Sequence, residues 1–191
     1  MKIKESLLLC LMTITSLCMA QVSKESQIKS AVLAAPEEMR ESAKVLGYEE
    51  GKIVVLREGN GDLVCQADDP NRNGFSVSCY QKGLEKFMER GRELRAEGLE
   101  RSEVFAARGK EMEAGKLKIQ EGSTLHILYG ADEVFNANTG EVTGAKYRFV
   151  VYVPYATTES TGLPLKPASP GAPWLMDAGS HRAHIMITPM N

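Results

Sequence analysis

The chain is short of the residues on which most enzyme and metal sites depend. Its 191 residues include three histidines, four cysteines and one tryptophan, and aromatic residues make up 6% of the total. It contains no His-Glu-x-x-His zinc pattern and no Gly-x-Ser-x-Gly serine-hydrolase pattern. No glycine-rich turn joins a predicted strand to a helix as nucleotide-binding sites require. The sequence therefore predicts no cofactor.

The chain also lacks an excess of either charge. Its formal net charge is -2, and no block of lysine and arginine with interleaved aromatic residues occurs, so the sequence does not predict nucleic-acid binding. Hydrophobic residues make up 43% of the chain, which is ordinary for a globular protein. A length of 191 residues is enough for one domain with a real core.

The N-terminus has the pattern of a signal peptide. Lys2 and Lys4 are followed by an apolar run at residues 7–17, which is too short for a mature membrane span, and Ala20 ends a small-residue cleavage site. We therefore predict that residues 1–20 are a signal peptide. The mature chain is predicted to have no membrane span and to be exported, to a periplasm or to the extracellular space.

Export changes the interpretation of the cysteines. Cys10 and Cys18 leave with the signal peptide, so the mature chain keeps Cys65 and Cys79, an even pair in an oxidising compartment. We predict that they form a disulfide closing a loop of about 15 residues, worth ~3 kcal/mol in the loop-entropy model. A metal-thiolate or redox pair is the alternative, and the long spacing disfavours it.

The mature chain divides into a polar N-terminal segment and a single domain. Residues 21–33 are predicted to be a polar N-terminal segment in which residues 22–29 are frayed, and residues 34–191 to form the domain. Its first part has three strand-like runs separated by turns, at 43–48, 52–58 and 63–65. These runs predict a meander, in which each strand pairs with the next along the chain.

A helical segment follows. Residues 83–117 show apolar positions at helical spacing, a break at Gly98 and a possible second N-cap at Ser102. Strands return at 124–129 and at 146–155, the latter apolar on both faces after Arg148, as in a central strand. The predicted fold class is α+β, a single domain with a mostly antiparallel sheet and the helical segment packed on one side.

The disulfide loop carries a partial calcium-binding pattern. Asp69, Asn71 and Asn73 have the spacing that opens an EF-hand loop. Tyr80 stands at the twelfth position, where a glutamate should bind the ion through both oxygens, and Pro70 lies inside the loop. A turn built by Asx side chains is the better interpretation.

The rarest residues cluster near the C-terminus. A proline-rich stretch, residues 157–172, is predicted to be a long loop without helix, and it leads to Trp174, Met176 and His184. Trp174 and Met176 could plug the end of the sheet core or form an apolar patch for a ligand. His184 could be a satisfied buried histidine. Trp174, Met176 and His184 are the predicted ligand-binding residues.

Two other kinds of site remain open for this segment. His181 and His184 could bind a metal, although residues three apart on a strand point to opposite faces. A hydrolase, metal-assisted or not, could use His184 with His126 and Asp177 as catalytic residues. The leading prediction is non-catalytic binding of a small ligand or a protein partner. A structural or accessory envelope protein is a further alternative.

Several short motifs together resemble a family of small, uncharacterised secreted bacterial proteins of unknown function. The resemblance covers about residues 34–189, and the chain departs from it at Leu63, where a tryptophan is expected before the cysteine. It implies a bacterial, exported protein and brings no catalytic residue with it; Gly179 and His184 fit the pattern and His181 does not. The motifs are Leu56-Arg57-Glu58-Gly59, Cys65, Cys79, Pro154-Tyr155-Ala156-Thr157, Pro173-Trp174-Leu175-Met176 and His184-Ile185-Met186-Ile187.

Overall fold

The structure is a computed structural model that describes residues 22–190, so the predicted signal peptide lies outside the described residues. Four α-helices and ten strands are found in this range. The helices are α1 Lys24–Ala31, α2 Glu85–Ala96, α3 Arg101–Glu113 and α4 Thr158–Thr161. The strands are β1 Lys44–Glu49, β2 Lys52–Arg57, β3 Leu63–Gln66, β4 Phe75–Gln81, β5 Thr124–Gly130, β6 Phe135–Asn136, β7 Glu141–Val142, β8 Lys146–Tyr152, β9 Trp174–Met176 and β10 His184–Ile187.

Eight of the strands form one sheet, in the order β2-β1-β3-β4-β5-β8-β10-β9. Strands β1 and β3 run parallel, and every other neighbouring pair is antiparallel. The short β6 and β7 make a separate hairpin. The prediction of a single α+β domain with a mostly antiparallel sheet is confirmed, and so is the interior position of β8.

The predicted meander at the start of the sheet is wrong in one respect. β3 does not pair with β2, which precedes it, but lies on the other side of β1 and parallel to it. The connection from β2 therefore crosses the beginning of β1. A Cβ atom at Gly59 would lie 2.3 Å from the backbone nitrogen of Lys44, so only glycine allows this close crossing.

Cys65 and Cys79 face each other on β3 and β4. Their sulfur atoms are 2.08 Å apart, which is disulfide distance, and both residues are fully buried. The pair bridges two neighbouring strands and closes the loop that joins them, as the sequence predicts.

Apolar side chains fill a core on each face of the sheet. The first face carries the disulfide and is covered by α1 and the turn of 3-10 helix that follows it. The second face is covered by the segment from α2 to residue 119, as predicted for the helical segment. Side chains of the second core include Leu46, Val64, Tyr80, Leu84, Phe87, Leu117, Ile119, Val150, Tyr152 and Met186.

The prediction that residues 22–29 are frayed is wrong, because most of them belong to α1, which packs on the sheet. Ser26, Gln27, Ser30 and Ala31 are buried. The Gln27 amide donates to the Tyr48 carbonyl at 2.9 Å and accepts from the Tyr48 N–H at 2.8 Å. The Gln27 side chain thus satisfies the backbone N–H and carbonyl of Tyr48, which lies beyond the point where β1 stops pairing with β3.

The helices of the second face differ slightly from prediction. Gly98, at φ +90°, ends the helical run as expected. α3 begins at Arg101, with Glu100 and Glu103 forming a capping box, so the predicted N-cap Ser102 lies inside the first turn.

The C-terminal part completes the sheet. The proline-rich loop contains the four-residue α4, which was not predicted and which a capping box at Thr157 stabilises. Leu175 of β9 donates its N–H to the Pro164 carbonyl, which ties the loop to the edge strand. Among the described residues, no helix is long and apolar enough to cross a membrane.

Candidate functional site

The structure does not bring the predicted catalytic residues together. His126 on β5 faces Cys79 and Phe149 in the strand register, so its side chain lies on the first face. His184 on β10 faces Tyr152, which belongs to the core of the second face. The two histidines are therefore on opposite faces of the sheet, and a shared reaction centre would require the sheet between them to be absent.

Each of these two histidines has a structural environment of its own. The His126 ring hydrogen-bonds to the Tyr147 hydroxyl, and its centroid lies 4.9 Å from that of Phe149. His184 donates from Nδ1 to the Arg182 carbonyl at 2.8 Å and packs on Tyr152. Burial lowers the pKa of both imidazoles below the ordinary value, so both favour the neutral form.

Asp177 is engaged by an arginine. Its Oδ2 accepts from Nε and Nη2 of Arg182 at 2.9 and 2.6 Å. The guanidinium of Arg182 also lies 5.0 Å from the centre of the Phe105 ring. Asp177 therefore balances Arg182 in the turn before β10 and does not orient a histidine.

His181 packs between the helices of the second face. Its ring lies 4.6 Å from that of Phe105 and 6.2 Å from that of Phe87, and a Cβ at Gly109 would come within 3.0 Å of it. Burial and the nearby positive charge of Arg108 lower its pKa. Within residues 22–190, no three or more His, Cys, Asp or Glu side chains form a group that could hold a metal.

Trp174 and Met176 lie on the edge strand β9. They face Met186 and His184 of β10, and both are half-buried against the core of the second face. This arrangement matches the plug interpretation of Trp174. The two clefts described below do not include Trp174.

A polar cleft lies elsewhere on the second face, where the helices leave the sheet uncovered. It has a volume of about 390 Å³. Its floor comes from side chains of four neighbouring strands, and its rim is the disulfide-closed loop between β3 and β4. The floor residues are Gln66, Ser76, Ser78, Ile127, Tyr129 and Arg148.

Arg148 of β8 is the distinctive residue of this cleft. Its guanidinium lies over the Tyr129 ring, 4.5 Å from the ring centre, and Nη2 donates to the Tyr129 hydroxyl at 3.1 Å. Nε is buried and has no hydrogen-bond partner in the described part of the chain. Nor does any carboxylate within residues 22–190 come within ion-pair distance of it. A half-buried guanidinium left in this state favours an added anion.

The rim carries two carboxylates. Asp68 accepts from the Ser76 N–H at 2.8 Å, and Asp69 accepts from the Asn71 N–H at 3.0 Å. The second bond confirms the Asx turn predicted for the partial calcium pattern. Burial raises the pKa of Asp68 to about 6, with the charge of Asp69 adding to the effect. A cation beside Asp68 would therefore stabilise the ionised form of its carboxylate.

A second cleft, of about 460 Å³, lies between the start of α2 and residues 115–120. Lys86, Lys116 and Lys118 line it, and all three are exposed. It is less specific than the first cleft, because solvated lysines stand at many protein surfaces.

The sequence contains a signal for the first cleft that the predictions did not use. Ser76 and Ser78 alternate with the buried Phe75, Val77 and Cys79 on an interior strand, which indicates that one face of β4 is polar there. Arg148 likewise interrupts the apolar β8. Comparisons of the chain with protein-family models, curated proteins and solved structures gave no match, so these contacts alone define the candidate site.

Proposed function

We propose that the chain is an exported domain that binds a small ligand through a carboxylate or phosphate group, without catalysis, in the cleft around Arg148. The observation that carries the proposal is the Arg148 guanidinium, which is stacked on Tyr129 with its Nε buried and without a partner among the described residues. An arginine fork that is already oriented by an aromatic ring binds carboxylate or phosphate through two parallel hydrogen bonds.

The surroundings of Arg148 support a small ligand. A volume of about 390 Å³ is within the range of small-molecule sites. The hydroxyls of Ser76 and Ser78 supply both donors and acceptors, and Ile127 gives an apolar floor. This mixture of a few polar groups around an apolar base is typical of sites that bind one orientation of a ligand.

Export is the cellular part of the proposal. It rests on the signal-peptide pattern of residues 1–20, on the family resemblance and on the Cys65–Cys79 pair, which suits an oxidising compartment. The location is a periplasm or the extracellular space of a bacterium.

The hydrolase alternative has lost its geometric basis. It requires His126, His184 and Asp177 to converge, whereas the two histidines lie on opposite faces and Asp177 binds Arg182. Binding without catalysis needs none of these residues.

An NMR titration of the purified, oxidised chain tests the proposal. Acetate, succinate, inorganic phosphate and tri-alanine are added to millimolar concentration while backbone amide shifts are followed. We expect at least one of these probes to give saturable shifts at Ser76, Ser78 and Tyr129. Arg148→Met should weaken that binding about tenfold or more, and Arg148→Lys should weaken it less.

Lys166→Gln is the matched control, because it removes one positive charge at an exposed position of the distant loop. It should leave binding unchanged. The proposal fails if none of the four probes shifts the cleft amides, or if Lys166→Gln weakens binding as much as Arg148→Met.

A further inference from the structure

The cleft has charges of opposite sign at its two sides. Arg148 lies on the β8 side, and Asp68 and Asp69 lie on the rim beyond β4. Arg72 is also on the rim, so the two carboxylates exceed the positive charge there by one. In the described part of the chain, neither rim carboxylate forms an ion pair. Arg148 and the two rim carboxylates are thus the positive and negative poles of the cleft. A ligand with a single anionic group would leave the negative pole unpaired.

The register of the sheet sets the distance between the poles. Arg148 is level with Ile127 of β5, which is level with Ser78 of β4, so two strand spacings, ~10 Å, separate β8 from β4. The Arg148 side chain reaches back over Tyr129 of β5 and shortens the gap. The Asp68 carboxylate is held at Ser76 of β4. The Asp68 carboxylate lies beyond β4, so the poles are two strand spacings, ~10 Å, apart.

This distance selects the kind of molecule that can reach both poles. In an α-amino acid the ammonium and carboxylate groups are attached to one carbon and cannot span the gap. Two or three residues of extended peptide span ~7 to 10 Å. A linear molecule with a cationic end and a carboxylate end, separated by one or two peptide bonds, therefore fits.

The floor between the poles suits peptide groups. Gln66 has an amide that donates to the Tyr48 hydroxyl at 3.2 Å, which leaves its carbonyl oxygen as an acceptor. Ser78 offers a hydroxyl beside it, and Ile127 is apolar. These groups match the alternation of amide N–H, carbonyl and small side chain along a short peptide.

We infer that the ligand is a zwitterionic di- or tripeptide, with its terminal carboxylate at Arg148 and its terminal ammonium at Asp68 and Asp69. The inference rests on the proposed function, since it names the ligand class of the same cleft. Any short peptide with free termini meets the requirement, because the recognised groups are the termini and the backbone.

Calorimetric titration of the purified, oxidised chain with three forms of one probe tests the inference. The probes are tri-alanine, N-acetyl-tri-alanine and tri-alanine amide. We expect tri-alanine to bind and either blocking group to weaken binding about tenfold or more, because each removes one charged end.

Variants locate each end of the peptide. Asp68→Asn keeps the acceptor for the Ser76 N–H and should weaken tri-alanine while leaving N-acetyl-tri-alanine unchanged. Arg148→Met should weaken tri-alanine while leaving the amide unchanged. Glu121→Gln, an equal change of charge at an exposed turn, should alter neither. Thermal melting checks that each variant is folded, and Asp69→Asn replaces Asp68→Asn if the latter does not fold.

Three results overturn the inference, and they separate it from the proposed function. If tri-alanine and its N-acetyl form bind equally and Arg148→Met weakens both, the cleft binds carboxylates but has no site for an ammonium. If acetate, succinate or phosphate binds and tri-alanine does not, the cleft binds small anions and excludes peptides. If no probe binds at all, the proposed function and the inference fail together.

Discussion

Two regions on the second face of the sheet each hold an arginine against an aromatic ring, and they differ in what else the arginine contacts. In the C-terminal turn, Arg182 lies over Phe105 and forms two hydrogen bonds to Asp177. In the cleft, Arg148 lies over Tyr129 and has no carboxylate partner among the described residues. The first arginine is paired with a carboxylate, and the second is not.

This difference shows that the rarest residues of a chain need not lie in its candidate binding site. The C-terminal turn collects two of the three histidines and lies close to the tryptophan, and its charged pair, Asp177 and Arg182, is closed, while the buried His181 Nε2 has no hydrogen-bond partner among the described residues. The cleft is built from common residue types, and the guanidinium of its Arg148 has no carboxylate partner within residues 22–190. An arginine without a carboxylate partner at an open cleft, rather than scarcity of residue type, marks the candidate site.

The largest expected effect concerns Phe87 of α2, against which His181 of the C-terminal turn packs. Phe87→Ala removes a ring that contacts Tyr152, His181 and the guanidinium of Arg108, and that is 1% exposed. We expect a loss of about 3 to 5 kcal/mol in the free energy of unfolding, measured by urea denaturation. A loss below about 1 kcal/mol would mean that this region is not the core that its contacts indicate.

A smaller effect distinguishes the two arginines directly. Asp177→Asn removes the charge opposite Arg182, and asparagine tolerates the left-handed conformation at φ +53°. We expect a loss of about 1.5 to 3 kcal/mol in unfolding free energy. Arg148→Met should cost less than about 1 kcal/mol, because its charge has no carboxylate to lose. Equal losses in parallel urea titrations would erase the comparison.

Acid should weaken the protein through its histidines. Burial lowers the pKa of His126, His181 and His184 in the folded state, so below the unfolded value of about 6.5 the unfolded chain binds more protons. Stability is complete above that pH and falls as the pH drops below it. Each histidine contributes at most about 1.4 kcal/mol per pH unit.

His181→Phe tests the share of the C-terminal turn in this acid response. Phenylalanine keeps the ring contacts with Phe87 and Phe105 and cannot be protonated. The variant should lose less stability than the wild type between about pH 7.5 and 5.5, as followed by urea titration at each pH. An unchanged slope would show that protonation of His181 does not oppose folding.

The smallest effect is expected in the floor of the cleft. Ser78→Ala should change the unfolding free energy by less than about 0.5 kcal/mol, because the residue is only half-buried. It should weaken tri-alanine a few-fold in calorimetry by removing one hydrogen bond. A large loss of stability with unchanged binding would reassign Ser78 from the ligand to the fold.

Local patterns in the sequence were sufficient to predict most strands, the helical segment and the cysteine pair. The β-branched run of β2 and the apolar run of β8 leave little choice of structure. The place of β3 could not be predicted, because it depends on Gly59 passing against the backbone of Lys44, a contact between distant chain positions. α1 was missed because its buried face consists of small and polar residues such as Ser26 and Gln27, which pack close to the sheet.

The candidate site was beyond the sequence for a related reason. Gln66, Ser78, Tyr129 and Arg148 come from four strands, and only the register of the sheet places them side by side. Conversely, the hydrolase alternative combined His126 with His184, and the alternation of side chains along each strand places them on opposite faces. The face of the sheet to which a side chain points depends on the register between strands, and the residues of one strand alone do not determine that register.

The bond between Cys65 and Cys79 has a consequence for the rim beyond holding two strands together. It closes residues 65–79 into a covalent ring, so the carboxylates of Asp68 and Asp69 belong to a loop whose two ends are held together. Much of the conformational entropy that a flexible rim would lose on binding a ligand has therefore already been lost when the chain folds and the disulfide forms. Reduction would restore this freedom to the rim, so ligand binding in the cleft should depend on the oxidising compartment that keeps the two sulfur atoms bonded.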